Sequence, residues 1–244
     1  MRPGPSLLGA LLLALAATGI AAPLHAQGGR QVDSGRFRIT QGGHDVGTEV
    51  FAIRREASSL RSVARLTTGR DTALLSDRIL EARLQTDEQH EPVLFELQVR
   101  RGGDLSLRGI RSGQRFRLRT RATEGERWKE FLVPSGLVIL PTGFVHFHHF
   151  LFRQRAEEKR LTALLPVEGV ERRIRVDGQR ADTIRAAGTR SPATRWEVTV
   201  GDERRLVWRG PDGRILRVEI PGDDWVAVRT AGNGPARGGD APRP

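Results

Sequence analysis

The chain has 244 residues, with 40 Lys and Arg against 29 Asp and Glu, a formal net charge of +11, and neither Cys nor Tyr. Without Cys it forms no disulfide, supports no thiol chemistry and offers no Cys for lipid modification. Its charge predicts anionic partners such as phosphates, acidic lipids or polyanionic glycans, although only Lys129 and Lys159 among the basic residues are Lys, a pattern that codon bias in a GC-rich genome also produces.

Met1 to Ala26 read as a secretory signal peptide. Arg2 precedes an apolar run from Leu7 to about Ala22, too short for a comfortable membrane span, and Leu24-His25-Ala26 places a small residue before a cleavage point at Gln27. Export to the periplasm or beyond follows from that reading. Residues 27–34 form a flexible polar lead-in, residues 35–230 a single domain, and residues 231–244 a Gly/Pro/Arg tail too poor in apolar side chains to fold.

Within the domain, strand-length segments recur between turn residues: 35–41, 46–56, 60–69, 72–86, 92–101, 104–110, 114–121, 127–133, 159–166, 168–176, 180–187, 194–200, 203–209, 214–220 and 224–230. Short, regular spacing without intervening helices predicts an antiparallel sheet, barrel or sandwich. Two turns stand out, Gly42-Gly43-His44-Asp45 and Gly210-Pro211-Asp212-Gly213, where glycine permits positive φ.

In the segment 114–121, Arg115, Arg117, Arg119 and Arg121 alternate with Phe116, Leu118 and Thr120, so a strand places all four arginines on one face, an anionic-surface candidate. A hairpin near Thr123 to Gly125 sets Glu126, Trp128 and Glu130 opposite Arg121, Arg119 and Arg117. A one-residue slip sets Lys129 opposite Arg119 instead. Cross-strand charge pairs of about 0.2 to 1 kcal/mol do not choose between the two registers.

From Thr142 to Glu158 the period changes, and the segment reads as one helix starting at Pro141-Thr142. It holds Phe144, Phe147, Phe150, Leu151 and Phe152, and its first half is apolar all round apart from His146, His148 and His149, as for a helix buried against a sheet. The fold class is therefore all-β with one helix: a curved antiparallel sheet or half-open β-barrel with a helix covering the concave face. His146 and His149 share a helical face at i and i+3, but a zinc or iron centre wants a third ligand and second-shell support, so no metal and no cofactor is assigned.

The residue patterns of nucleophile elbows, phosphate-cradling loops, His-Glu-x-x-His and CxxC are missing. His44-Asp45 and His90-Glu91 read as surface polarity, because neighbours on a strand face opposite sides. An enzyme is not expected; an interior polar cluster joining distant residues would revive that reading. Aromatic residues make up only 5% of the chain, too few for a basic surface interleaved with stacking rings, so nucleic acid is not expected as a partner.

Three stretches carry a family resemblance: Phe37 to Ile53 with its Gly47-Thr48 step, Glu91-Pro92 followed by Val93 to Val99, and Val207-Trp208-Arg209-Gly210-Pro211-Asp212-Gly213-Arg214-Ile215-Leu216-Arg217-Val218. Their order resembles the periplasmic outer-membrane lipoprotein carriers. That resemblance implies a half-open barrel that holds acyl chains in a hollow closed by helices. On it, Phe144, Phe147, Phe150, Leu151 and Phe152 line or cap a lipid site, with Trp128 or Trp208 contributing and His146 and His149 as polar anchors. On the same reading the arginine-rich exterior approaches an anionic membrane surface. The alternative is a structural or interaction protein of the cell envelope, its barrel filled and its arginine face docking an acidic partner.

Overall fold

The computed structural model describes residues 29–69, 78–101, 103–133, 135–152 and 161–231. The expected signal peptide and nearly all of the expected tail lie outside them. The described residues form one fifteen-stranded sheet that does not close on itself, with one short helix. The strands are β1 (Arg30–Gln41), β2 (His44–Glu56), β3 (Ser59–Thr68), β4 (Ile79–Thr86), β5 (Pro92–Arg101), β6 (Ser106–Ser112), β7 (Arg115–Ala122), β8 (Gly125–Leu132), β9 (Leu137–Ile139), β10 (Leu161–Leu165), β11 (Val170–Ala186), β12 (Thr189–Val200), β13 (Glu203–Arg209), β14 (Ile215–Ile220) and β15 (Trp225–Ala231), and the helix is α1 (His148–Leu151).

Strand order is β8-β7-β6-β5-β4-β3-β2-β1-β15-β14-β13-β12-β11-β10-β9. Two antiparallel meanders therefore meet at the β1–β15 pair, where the first and last strands of the domain join. Among the described strands only β9 and β10 run parallel. Although β9 ends the sheet, it lies against β5, so the sheet curls into a barrel-like wrap. Alternation makes this possible: Phe37, Phe51, Ile53, Ala64, Leu84, Phe95, Leu97, Phe116, Leu118, Val198, Val207, Val218 and Ala227 all belong to one buried core inside the curl.

The join carries a buried ion pair. Arg229 on β15 and Asp33 on β1 are both about 2% exposed. Arg229 Nη2 donates to Asp33 Oδ1 at 2.6 Å and to the Ser34 carbonyl at 2.6 Å, while Nη1 donates to Asp33 Oδ2 at 3.2 Å and the Ile215 carbonyl at 2.9 Å. The guanidinium also lies over the Phe37 and Phe51 rings at 5.7 and 5.3 Å. Four acceptors and two ring faces offset the cost of removing this charge from water.

Four expectations need correction. Arg30 to Ser34 are not a flexible lead-in: they belong to β1, pair with β2 and bury Asp33, because Arg229 needs that carboxylate. The expected strands 168–176 and 180–187 are one strand, β11, with a bulge between Val176 and Gly178 in place of a turn. Leu137 to Ile139 form a strand that the expected elements omitted.

Finally, the expected helix from Thr142 to Glu158 shrinks to α1, with residues 153–158 outside the described set. Gly143 has φ +86°, which no right-handed helix tolerates, and i to i+3 bonds from Val145, His146 and Phe147 carbonyls lead into the single helical turn. Both reliable turns form as expected. Gly42 and Gly43 have φ of +57° and +78°, and Gly213 has φ +80° with its N–H on the Gly210 carbonyl at 2.9 Å.

Arg229→Ala leaves Asp33 buried without its main partner, and urea denaturation is expected to show a loss of about 3–5 kcal/mol. The double variant Asp33→Leu/Arg229→Met is expected to regain most of that loss. Equal destabilisation by the single and double variants contradicts this role for the pair.

Candidate functional site

Two places hold the functional side chains that the sequence suggests, one inside the curl and one on its outer face. Inside, Phe144, Phe147, Phe150 and Leu151 are almost wholly buried. Phe147 makes edge contacts with Phe95 at 6.0 Å and Phe144 at 5.9 Å, and meets Phe150 at 6.3 Å. These side chains occupy the concave side of the sheet as part of its core. Phe152 is half-buried at the margin, against Trp196 at 5.2 Å and beneath the Arg209 guanidinium at 4.5 Å. Trp128 and Trp208 do not join them. Trp128 is 64% exposed on β8, and Trp208 belongs to a second cluster with Ala193 and Leu206. Strand parity sends Trp208 to the outer face, opposite Val207, and the long β11–β12 hairpin supplies Asp182 to its indole N–H at 2.8 Å.

What fixes the aromatic segment is a carboxylate. Glu49 on β2 sits in the inward row with Phe51 and Ile53 and is fully buried. It accepts the Val145 N–H at 2.5 Å and the His146 N–H at 3.4 Å, and it contacts His146 Nδ1. It thus satisfies N–H groups that a cap near in sequence normally serves. His146 Nε2 lies 3.3 Å from Ser62 Oγ on β3, and Phe51 stacks on the imidazole at 5.4 Å.

This is an interior polar cluster joining distant residues, and its connectivity is that of a Ser-His-carboxylate triad. Acyl transfer further requires an approachable nucleophile and donors aimed at the developing oxyanion. Ser62 is fully buried within a strand that is paired on both sides. In this arrangement the cluster anchors the segment.

The other histidines point elsewhere. His148 Nδ1 meets the Val145 carbonyl at 2.9 Å and Nε2 lies 3.2 Å from Arg205 Nη1. Burial, then the Arg205 charge, pushes His148 down to about 3, so it is neutral at pH 7. His149 is buried at the edge of Phe150 at 5.6 Å. Among the described residues no group of three His, Asp or Glu side chains is arranged to hold a metal ion.

On the outer face, the register between β7 and β8 is Arg121↔Glu126, Arg119↔Trp128 and Arg117↔Glu130. The four arginines share two glutamates. Arg117 donates to Glu130 at 2.8 Å and Arg115 also contacts it, while Glu126 accepts from Arg119 at 2.6 Å and from Arg121 at 3.1 Å. The Arg119 hydrogen bond, joined by those from Arg121, holds Glu126 down at about 2, and Arg117 and then Arg115 lower Glu130. Half of the row's positive charge is left uncompensated by these partners. Glu91, expected at the surface, is instead buried: it accepts the Gly136 N–H at 2.5 Å and pairs with Arg111 at 3.0 Å, tying the loop before β9 to the sheet.

The architecture defines the class: an open, barrel-like antiparallel β protein with an occupied interior. The chain matches no family model and no curated protein. Among solved structures it is similar to a β-barrel-like protein of a domain of unknown function from Brucella abortus, at 10% identity and TM-score 0.45, over 82% of this chain and 96% of that one. It is also similar to a candidate exported protein with a YmcC-like fold from Bacteroides fragilis, at 8% identity and TM-score 0.34, over 83% and 96% respectively.

Between about pH 6.5 and 3 the unfolded chain carries a proton on His148 that the folded protein excludes, so His148 lowers stability as pH falls through that window and has no such effect above it. His148→Gln is expected to flatten the acid side of the stability profile by at most about 1.4 kcal/mol per pH unit. An unchanged slope in urea titrations across that window contradicts a buried neutral imidazole.

Proposed function

We propose that this protein is a non-enzymatic, exported interaction protein of the cell envelope, whose interior is packed solid and whose arginine-rich outer face docks an acidic partner. The observation that carries this reading is the burial of Phe144, Phe147, Phe150 and Leu151 in the core on the concave side. An apolar ligand of the kind the lipoprotein carriers hold enters such a curl only by displacing these side chains and the Glu49 anchor. The outer row needs no rearrangement: Arg115, Arg117 and Arg121 are well exposed and share their glutamates two to one. Export rests on the signal-like residues 1–26.

Attraction between exposed charges is screened over about 10 Å at 0.1 M salt and about 3 Å at 1 M. Retention on an immobilised acidic polysaccharide is therefore expected to vanish across that range. Arg115→Ser/Arg117→Ser is expected to elute at clearly lower salt than the equally charged control Arg54→Ser/Arg190→Ser, which removes exposed arginines elsewhere. Identical elution of the two double variants reduces the attraction to net charge alone and contradicts a docking face.

A further inference from the structure

Strand register extends the arginine row into a groove across the outer face. One rung of cross-strand neighbours runs Arg83, Glu96, Arg108, Arg119 and Trp128, from β4 to β8; the next runs Glu81, Gln98, Ser106, Arg121 and Glu126. The side chains of both rungs from β4 to β7, with Arg100, line a depression of about 310 Å³ that carries five arginines against two glutamates, and Glu126 stands beyond its β8 side. Arg108 and Arg119 stand directly opposite each other, a like-charge pairing that costs stability unless something anionic lies between or beside them. Their carboxylate partners are offset to either side. Arg108 reaches Glu96 only at 3.6 Å, and Arg119 uses Nη2 on Glu126 while its Nε has no hydrogen-bond acceptor among the described residues.

Beside the groove the outer face turns apolar. Trp128 is 64% exposed, Leu132 69% and Ile110 43%, with the Arg119 guanidinium 5.5 Å from the centre of the Trp128 ring. Ile110 on β6 and Trp128 and Leu132 on the free edge strand β8 share the outward parity of Arg108, Arg117, Arg119 and Arg121. Guanidinium groups suited to phosphate oxygens, next to an indole and aliphatic side chains that water does not favour, make a surface matched to the headgroup layer of an acidic membrane.

We infer that the groove between Arg83, Arg108, Arg119 and Arg121 seats the phosphate of an acidic lipid headgroup, with Trp128 and Leu132 entering the headgroup layer beside it. This rests on the outer-face reading above and names its partner. Tetrahedral phosphate oxygens accept from Arg108 and Arg119 together, relieving their mutual repulsion. The side chains of Trp128 and Leu132 lose contact with water in the same step.

The test is co-sedimentation of the protein with vesicles of phosphatidylcholine alone or mixed with phosphatidylglycerol, together with calorimetric titration by inorganic phosphate. Association with the acidic vesicles only is expected. Arg108→Ser is expected to weaken it about fivefold and Arg190→Ser, far from the groove, less than about twofold. Trp128→Ser is expected to weaken it without changing retention on the acidic polysaccharide. Equal effects of Arg108→Ser and Arg190→Ser overturn the groove while leaving the docking face standing. Binding of inorganic phosphate without vesicle association overturns the membrane source. Loss of polysaccharide retention as a docking signal, read in the same preparations, overturns the outer-face reading itself.

Discussion

A single buried carboxylate decides what the inside of this protein is. Glu49 stands in a row of inward side chains that is otherwise apolar, and an ionisable group there is costly unless its oxygens are engaged. It is engaged by the backbone of Val145 and His146 and by the His146 ring. That engagement draws residues 144–151 into the curl, where five of their apolar side chains complete the core. The curl and its contents are thus mutually dependent: the sheet has an inner face to bury, and the segment is the material that buries it. Packing of this sort is the ground on which the proposed recognition falls to the outer face.

The outer face is shaped by a different constraint, the joining of two meanders. The Arg229–Asp33 pair ties the last strand to the first at the centre of the sheet, so its free edges, β8 and β9, fall at the far ends of the strand order. They are protected unequally. β9 is short, buried and packed near β5. β8 relies on charge, with Glu126, Arg127, Lys129 and Glu130 along an exposed strand, a pattern that discourages pairing with other chains. The Lys129 ammonium reaches the Gly169 carbonyl at 2.6 Å, adding a tether to the β10–β11 turn. Trp128 and Leu132 stay exposed in the midst of this protection, and the same strand that must not aggregate is the one that presents them.

Much of the scaffold was legible in the sequence because strands declare themselves by period. Alternation placed Arg115, Arg117, Arg119 and Arg121 on one face, and glycine pairs marked hairpins that formed. Where reading failed, a long-range contact had overruled a local signal. Residues 177–179 separated two expected strands but make a bulge, since the hairpin to β12 continues past them and its tip donates the Ala187 N–H to the Arg229 carbonyl at 2.7 Å. The aromatic segment suggested a long helix, but Gly143 and the Glu49 anchor make it a run of turns closed by one helical turn. Glu49 and Ser62 were visible as polar residues at inward positions of alternating strands. Their partner, His146, lies 97 and 84 positions away, and no local pattern connects such a distance. The register between β7 and β8 was open for a similar reason: charge pairs of this strength follow the hairpin geometry and do not set it.

The protein's own side chains fill the inner side of the curl. Native mass spectrometry of residues 27–244, exported and purified without detergent, tests this filling most directly. The mass of the polypeptide alone is expected, with no lipid in an organic extract and no uptake of an acyl probe by the folded protein. A stoichiometric lipid carried through purification, and lost in Phe147→Asp while the fold persists, contradicts it and makes residues 144–152 the lining of a ligand site.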